Sequence, residues 1–304
     1  MKKYLILLSF IITYTIPLLG QQSPEFTLYM MNPFLYNPAV AGTANYWEIR
    51  SDHRFQWVGL NNAPITNVVS AFGPHSTKDM GFGGNVYSDI TGPVSTTGAN
   101  GVYTYNLPLT EDIRLSMGLE LGILQYAIDF TSIDFNVLND PGIPQTVQAK
   151  IEPDATAGVY VYNSQFNAGF SANHLFNLHE ELTLKEIGVT RLQTHFYLMG
   201  GYRYLYDREW TFEPGVVITK VVPAAYQFEF YGKAIYKNIF WGGLSYRTQD
   251  AISIILGYTH ERKIFVGYAF DYALTDLRKY TAGSHEIVIG YNFDSIKKMA
   301  KRHR

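Results

Sequence analysis

Residues 114–123 read RLSMGLELGI, and their side chains alternate strictly in character. Leucine, methionine and isoleucine occupy the odd positions, whereas arginine, serine, glutamate and two glycines occupy the even ones. Successive side chains of a β-strand point to opposite faces of a sheet. The stretch therefore predicts a strand with one wholly apolar face and one small or charged face.

The same alternation recurs along the chain, for example in residues 210–219, 226–234 and 264–272. The polar face of a soluble sheet normally carries many charges. Here only 16% of the residues are charged, while Tyr (24), Phe (19) and Gly (26) are abundant. The pattern predicts an all-β fold, a transmembrane antiparallel up-and-down β-barrel of about 14 strands.

The start of the chain has the features of an export signal. Lys2 and Lys3 precede an apolar run over residues 4–19, which predicts a signal peptide over residues 1–20. No later stretch offers the roughly 18 consecutive apolar residues of a membrane helix, so a membrane-embedded chain must close into a barrel.

The remaining chain divides into an irregular N-terminal segment, a barrel and a tail. The N-terminal segment (residues 21–46) is periplasmic or plugs the barrel, the barrel occupies residues 47–293, and the basic tail (residues 294–304) is periplasmic. Both chain ends are placed in the periplasm because outer-membrane barrels have short periplasmic turns and longer external loops. The long outward connections are then residues 129–153, 176–192 and 274–283.

Composition and motifs disfavour several other functions. Cysteine is absent, which excludes disulfides, thiolate zinc sites and a cysteine nucleophile. Residues 21–293 contain 17 basic and 25 acidic residues, and this net charge of −8 disfavours a nucleic-acid partner. The sequence has neither a G-x-S-x-G nor an H-E-x-x-H motif, so we expect no enzyme, cofactor or metal site. A hydrolase would need a serine, a histidine and an acid that converge at one depth on the barrel wall.

Loop-bound calcium is left open as a minor alternative. The oxygen-bearing candidates do not have the spacing of an EF-hand loop. They are Asp129, Asp134, Asn136, Asn139 and Asp140.

The segment SPEFTLYMMNPFLYNPAVAG (residues 23–42) is the most distinctive part of the sequence. Its two Asn-Pro pairs preclude a regular helix or central strand, because proline removes a hydrogen-bond donor and restricts the preceding residue. The segment either packs into the periplasmic mouth of the barrel or forms a docking surface for a periplasmic partner. The candidate plug or partner-binding residues are Tyr29, Asn32, Pro33, Asn37, Pro38, Gly42 and, beyond the segment, Trp57.

A second set of candidates consists of charges predicted to face the lumen. Such charges either pair with one another to stabilise the interior or contact a substrate. They are Glu48, Arg50, Asp52, Arg54, Arg114, Glu120, Arg203, Glu213, Glu229, Lys233, Arg247 and Asp271.

The pattern QxSPxFTxYMMNPFxYNPAxAG and the stretch RFQWVGLNNAPIT (residues 54–66) resemble the PorP/SprF family of type IX secretion membrane proteins. The resemblance implies the outer membrane of a Bacteroidetes bacterium and work with the type IX secretion and gliding apparatus. The implied partners are secreted adhesins with type B C-terminal domains, periplasmic ring or lipoprotein subunits, and outer-membrane lipid.

The expected function is therefore a non-catalytic barrel that anchors secreted surface proteins, assists their export or links to the periplasmic ring. The alternative is a porin-like or fatty-acid-transporter-like channel for small solutes. Obstruction of the lumen separates the two hypotheses. The residues expected to obstruct it are 32–42, Tyr160, Tyr162, Tyr197 and Tyr231.

Overall fold

The computed structural model describes residues 25–133, 146–176, 179–180, 190–191 and 193–294. The predicted signal peptide and the basic tail after Asp294 lie outside the described residues. Among the described residues, no helix has both the length and the apolar character needed to span a membrane.

Fourteen antiparallel strands form a closed barrel, which confirms the predicted fold class and strand number. The strands are β1 (Tyr46–Phe55), β2 (Ile65–Pro74), β3 (Met80–Thr91), β4 (Val94–Pro108), β5 (Arg114–Asp129), β6 (Val147–Tyr162), β7 (Phe166–Asn173), β8 (His195–Tyr202, extended by Tyr204–Leu205), β9 (Trp210–Val221), β10 (Gln227–Tyr236), β11 (Phe240–Arg247), β12 (Ala251–His260), β13 (Ile264–Ala273) and β14 (Ser284–Asp294).

Each strand pairs with its neighbour in the chain, and β14 pairs with β1 to close the sheet. Tyr46 lies opposite Asp294 in this closing pair, and Phe55 lies opposite His285. The chain therefore enters and leaves the barrel at one rim, called the terminal rim here; the opposite rim is the far rim. Closure gives every strand a partner on each side, as hydrocarbon requires.

The connections differ in length between the two rims. Turns at the terminal rim span three to five residues, whereas the far rim carries the long connections 130–146, 174–194 and 274–283 beside short ones such as 92–93 and 248–250. Lys237 and Asn238 at the terminal rim both have positive φ angles of 52° and 55°, as in the type I′ turns that match the twist of a hairpin.

One predicted boundary is wrong. The connection placed at residues 129–153 ends earlier, because residues 147–153 continue β6 and pair with β5 from Val147↔Asp129 to Pro153↔Ile123. Pro153 lies within this stretch, and proline disfavours a central strand. The part of β6 that contains Pro153 pairs only with β5 among the described residues. Proline is tolerated there because an unpaired strand edge needs no N–H donor.

The outer wall of the barrel is apolar. Leu119, Leu121 and Ile123 are 46–56% exposed, whereas the alternating Ser116 is fully buried toward the interior. Large aromatic side chains are exposed near both rims, including Trp47 and Trp210 at the terminal rim. An apolar band between aromatic girdles is the surface that a bilayer solvates.

We expect Leu121→Arg to destabilise the barrel strongly in a membrane, because Leu121 lies midway along β5 on the outer wall. A charge at the bilayer midplane costs about 2–4 kcal/mol in such barrels. Reversible denaturant unfolding in phospholipid vesicles measures this loss. Glu111→Arg, in an exposed turn, is the control and should change stability by less than about 0.5 kcal/mol. Equal stabilities for the two variants would contradict a lipid-facing wall at Leu121.

Candidate functional site

Residues 25–45, called the inner segment, run through the barrel interior. Thr27 contacts Glu286 near the far rim, where β14 begins, with a distance of 2.7 Å between the Thr27 amide nitrogen and Glu286 Oε2. Ala41 lies toward the terminal rim, where its carbonyl oxygen accepts a 2.7 Å hydrogen bond from Thr104 Oγ1. The segment therefore extends well beyond one mouth of the barrel and connects its two halves.

The two Asn-Pro pairs give the inner segment its irregular shape. Pro33 and Pro38 each begin a short 3-10 turn, a position where the missing proline N–H costs nothing. Asn37 Oδ1 accepts a 2.9 Å hydrogen bond from the Ala39 amide, and Asn37 Nδ2 donates to the Val159 carbonyl of β6 at 3.0 Å. The Asn37-Pro38 pair therefore sets the backbone conformation of the inner segment and attaches the segment to β6 of the wall.

Asn32 makes the equivalent attachment on the opposite wall. Its Nδ2 donates to Asp52 Oδ2 on β1 at 2.9 Å and to Ser70 Oγ on β2 at 3.0 Å. Asn32, Asn37 and Asp52 are buried almost completely. Buried polar groups are costly unless they are paired, so these contacts fix the position of the segment.

Aromatic rings fill the space between the inner segment and the wall. Phe34 stacks on Phe72 of β2 with 4.3 Å between ring centroids. Tyr36 meets Tyr197 of β8 edge-on at 4.7 Å, and Tyr29 meets Tyr231 of β10 at 5.5 Å. Such contacts stabilise beyond simple burial. The segment and the barrel wall thus share one hydrophobic core.

The close approach of the segment depends on a wall glycine. A Cβ atom at Gly118 of β5 would lie 2.4 Å from the backbone nitrogen of Ala39. Ala39 is completely buried, so its backbone has no room to retreat. Glycine is required at position 118 because two backbones touch there.

A buried ion cluster holds the start of the inner segment near the far rim. The Arg54 guanidinium lies 2.7 Å from Asp271 and 2.9 Å from Glu286, with all three side chains almost fully buried. Thr27 Oγ1 donates to Asp271 at 2.8 Å, and the Thr27 and Leu28 amides donate to Glu286 at 2.7 and 2.8 Å. The inner segment therefore donates hydrogen bonds to two wall carboxylates, Asp271 and Glu286, that also pair with Arg54.

Arg247 of β11 extends this cluster along the wall toward β10. Its guanidinium lies 2.9 Å from both Glu229 and Asp250, and 3.3 Å from Glu25 of the inner segment. Arg54 and Arg247 thus form ion pairs with carboxylates from β10, β13, β14, a far-rim turn and the inner segment. The whole set of charges, called the clamp here, comprises Arg54, Arg247, Glu25, Glu229, Asp250, Asp271 and Glu286.

The other predicted lumen charges also find protein partners. Arg50 pairs with Glu48 and lies 4.2 Å from the centroid of the Phe265 ring. Lys233 lies 2.7 Å from Glu213.

Three further predicted lumen charges, Arg203, Glu120 and Arg114, also have partners outside the clamp. Glu213 also lies 2.6 Å from Arg203. Glu120 accepts a hydrogen bond from Asn85 at 3.1 Å. Arg114 differs, because it lies at the terminal rim and pairs with Asp79 in an ion pair where both side chains are at least 35% exposed.

The structure brings together most of the residues singled out in the N-terminal region. Tyr29, Asn32, Pro33, Asn37, Pro38 and Gly42 all belong to the inner segment. Trp57 lies apart from them, in the β1–β2 connection, where its amide donates to Ser284 Oγ at 3.1 Å.

Four residues of this site, Glu25, Thr27, Asp250 and Glu286, were not among the residues singled out from the sequence. The signal for Glu286 was present, because it alternates with the outward Ile287 and Ile289 on β14. Of the calcium candidates, Asp129 accepts a 2.9 Å hydrogen bond from the Thr131 amide. The others, Asp134, Asn136, Asn139 and Asp140, lie outside the described residues.

A closed fourteen-stranded barrel with an apolar outer wall and a polar, filled interior is an outer-membrane β-barrel protein. The sequence comparison identifies the family: residues 18–291 match the type IX secretion system membrane proteins PorP/SprF, and the chain belongs to this family. The resemblance read from the N-terminal motifs is thereby confirmed.

Several solved structures are similar to the chain at low sequence identity and with TM-scores below 0.5. The Pseudomonas putida toluene transporter TodX is 8% identical with a TM-score of 0.48, over 86% of this chain and 93% of its own. A Pseudomonas aeruginosa FadL homologue is 9% identical with a TM-score of 0.45, over 82% and 88%. The monoaromatic hydrocarbon channel CymD is 11% identical with a TM-score of 0.48, over 91% and 94%. No curated protein sequence matches the chain.

We expect Arg54→Ala to lower the free energy of unfolding by about 3–5 kcal/mol, because it leaves Asp271 and Glu286 buried without their cation. Denaturant unfolding in vesicles measures the change. Arg114→Ala is the matched control, since its exposed ion pair contributes about 0–1 kcal/mol. A loss for Arg54→Ala no larger than for the control would show that the clamp does not stabilise the fold.

We also expect Gly118→Ala to loosen the inner segment, because the added methyl group overlaps the Ala39 backbone. The chain has no cysteine, so a single Val40→Cys variant reports access to the segment through its rate of maleimide labelling. Gly118→Ala should raise that rate about tenfold, since overpacking costs about 1–3 kcal/mol.

Gly232→Ala is the matched control for this experiment. A Cβ atom at Gly232 meets nothing within 4 Å, so the labelling rate of Val40→Cys should stay unchanged. Equal rates in the two glycine variants would mean that the segment does not rest against β5 in the membrane.

Proposed function

We propose that this protein is an interaction barrel of the type IX secretion apparatus. In this role it binds and anchors secreted surface proteins with type B C-terminal domains, assists their export, or links to the periplasmic ring. The observation that carries the proposal is the inner segment, which fills the interior through buried hydrogen bonds, ion pairs and aromatic contacts. A barrel filled in this way offers its rims to a partner.

The filled interior weighs against the alternative of a solute channel. Tyr160 and Tyr197 are at least 92% buried, and Tyr162 and Tyr231 pack against the same core as the inner segment. These are the rings that would have to move for solute to pass. The clamp would also have to open, which exposes several unpaired charges at once.

We assign the far rim to the outside of the cell and the terminal rim to the periplasm. The longest connections, 130–146 and 174–194, are at the far rim, whereas the terminal rim has only short turns. This is the usual asymmetry of outer-membrane barrels. In this orientation the far-rim connections meet the secreted cargo, and the basic tail (residues 294–304) meets periplasmic subunits or lipid headgroups.

The partnership is tested by purifying the tagged full-length barrel from its native outer membrane in mild detergent and identifying co-purifying proteins by mass spectrometry. We expect a large secreted protein with a type B C-terminal domain or periplasmic ring subunits. An unrelated outer-membrane barrel with the same tag is the control. Recovery of the tagged protein alone, together with solute flux through it in liposomes, would replace this proposal with the channel.

A further inference from the structure

The lipid-facing wall contains a polar group that the secretion role does not use. Ser51 and His53 of β1 and Asn67 of β2 point outward, because they alternate with the inward Asp52 and Arg54. His53 lies directly opposite Asn67 in the β1–β2 ladder. Apolar residues flank this site along β1 and β2, and Ser88 of β3 is a further polar neighbour opposite Asn67, so the site is a small polar cluster on a largely apolar wall.

The three side chains form a continuous relay. Ser51 Oγ lies 2.9 Å from His53 Nε2, and His53 Nδ1 lies 2.7 Å from Asn67 Oδ1. The amide oxygen of Asn67 can only accept, so it selects the histidine tautomer that carries its proton on Nδ1. His53 Nε2 is then free to accept the Ser51 proton. This is the arrangement of nucleophile, base and orienting group found in serine hydrolases on unrelated folds.

The surroundings of the relay indicate a ligand with a hydrocarbon chain. Ile287 and Ile289 of β14 lie opposite His53 and Ser51, and both are more than a third exposed on the outer wall. Val69 flanks Asn67 two residues along β2 and is 44% exposed. Acyl chains of membrane lipids are the molecules that contact such a wall.

The relay also lies at a suitable depth for lipid esters. His53 is two residues from the end of β1, about 7 Å along the strand. At the next level toward the far rim, Tyr268 Oη and His285 Nδ1 form a 2.7 Å hydrogen bond on the outer wall. Amphipathic aromatic residues mark the membrane–water boundary, where acyl ester groups and water are both within reach.

We propose that Ser51, His53 and Asn67 form a site that hydrolyses acyl esters of membrane lipids. Ser51 is the nucleophile, His53 is the general base and acid, and Asn67 is a positioning residue. This activity goes beyond the secretion role and does not depend on it, since the relay faces lipid and the inner segment is on the other side of the wall.

The reaction balances with water as the only co-reactant. Ser51 Oγ attacks the ester carbonyl carbon while His53 Nε2 takes the hydroxyl proton. The ester C–O bond breaks, the departing alkoxide takes that proton, and an acyl group remains on Ser51. Water then attacks the acyl-serine, passes a proton to His53 and releases the fatty acid, and the proton returns to Ser51.

The test uses the full-length barrel in detergent and in phosphatidylethanolamine–phosphatidylglycerol vesicles. A long-chain alkyl fluorophosphonate is the probe, and peptide mass spectrometry locates its covalent adduct. We expect the adduct on Ser51, together with release of fatty acid from the vesicles. Ser88→Ala is the matched control, because Ser88 lies opposite Asn67 on the neighbouring strand and its side chain makes no hydrogen bond to another described residue.

Variants separate the roles of the three residues. Ser51→Ala should abolish labelling, and His53→Ala should slow it at least about 100-fold, as expected for loss of a general base. Asn67→Ala should slow labelling and shift its pH profile, whereas Asn67→Asp should restore much of the rate, since a carboxylate also orients the imidazole. Heat-modifiable electrophoretic mobility verifies that each variant remains a folded barrel.

The wild-type protein alone can overturn the proposal. Absence of an adduct on Ser51 and of fatty-acid release would show that the three side chains merely satisfy one another in the membrane. Labelling that persists unchanged in a folded His53→Ala or His53→Gln barrel would do the same. Neither result bears on the secretion partners, which the affinity purification tests separately.

Discussion

Every backbone N–H and C=O group inside a bilayer must find a partner within the protein, and this constraint governs the whole structure. The pairing of β14 with β1 satisfies it by closing the sheet. Closure produces two surfaces with opposite demands, because hydrocarbon solvates the outer wall and side chains must occupy the inner one. The alternation along each strand meets both requirements, because it places apolar side chains on the outer wall and small or polar side chains on the inner one.

The interior is occupied by the chain's own N-terminal region. Wall charges that already pair with one another receive further contacts from Thr27 and Glu25, and Glu286 accepts hydrogen bonds from the segment's backbone amides. The barrel and the inner segment therefore stabilise each other. This mutual dependence is the physical basis for proposing an interaction role, because neither part reaches its full hydrogen bonding without the other.

The proposed secretion role and the proposed lipid site use opposite faces of the same wall. On β1, Asp52 and Arg54 face inward to the segment, while Ser51 and His53 face the membrane. A strand with period two can serve two functions because its neighbouring side chains do not share a surface. One closed sheet thus supports a filled scaffold inside and a candidate lipid site outside.

The sequence by itself determined the class of fold. Local alternation such as that of RLSMGLELGI depends only on which side of a strand each residue occupies, so the barrel and its strand number could be predicted. The motifs around Asn32 and Asn37 also identified the family. The boundary of β6 could not be predicted, because Pro153 is tolerated only through the local pairing pattern.

Only the tertiary structure decided which distant residues meet. The clamp joins Glu25 and Arg54 to Asp271 and Glu286, more than two hundred residues away, and no local pattern records that neighbourhood. The relay likewise depends on the register that sets His53 opposite Asn67. Shifting that register by one residue would send Asn67 to the other face, so pairing across strands, and not composition, created both sites.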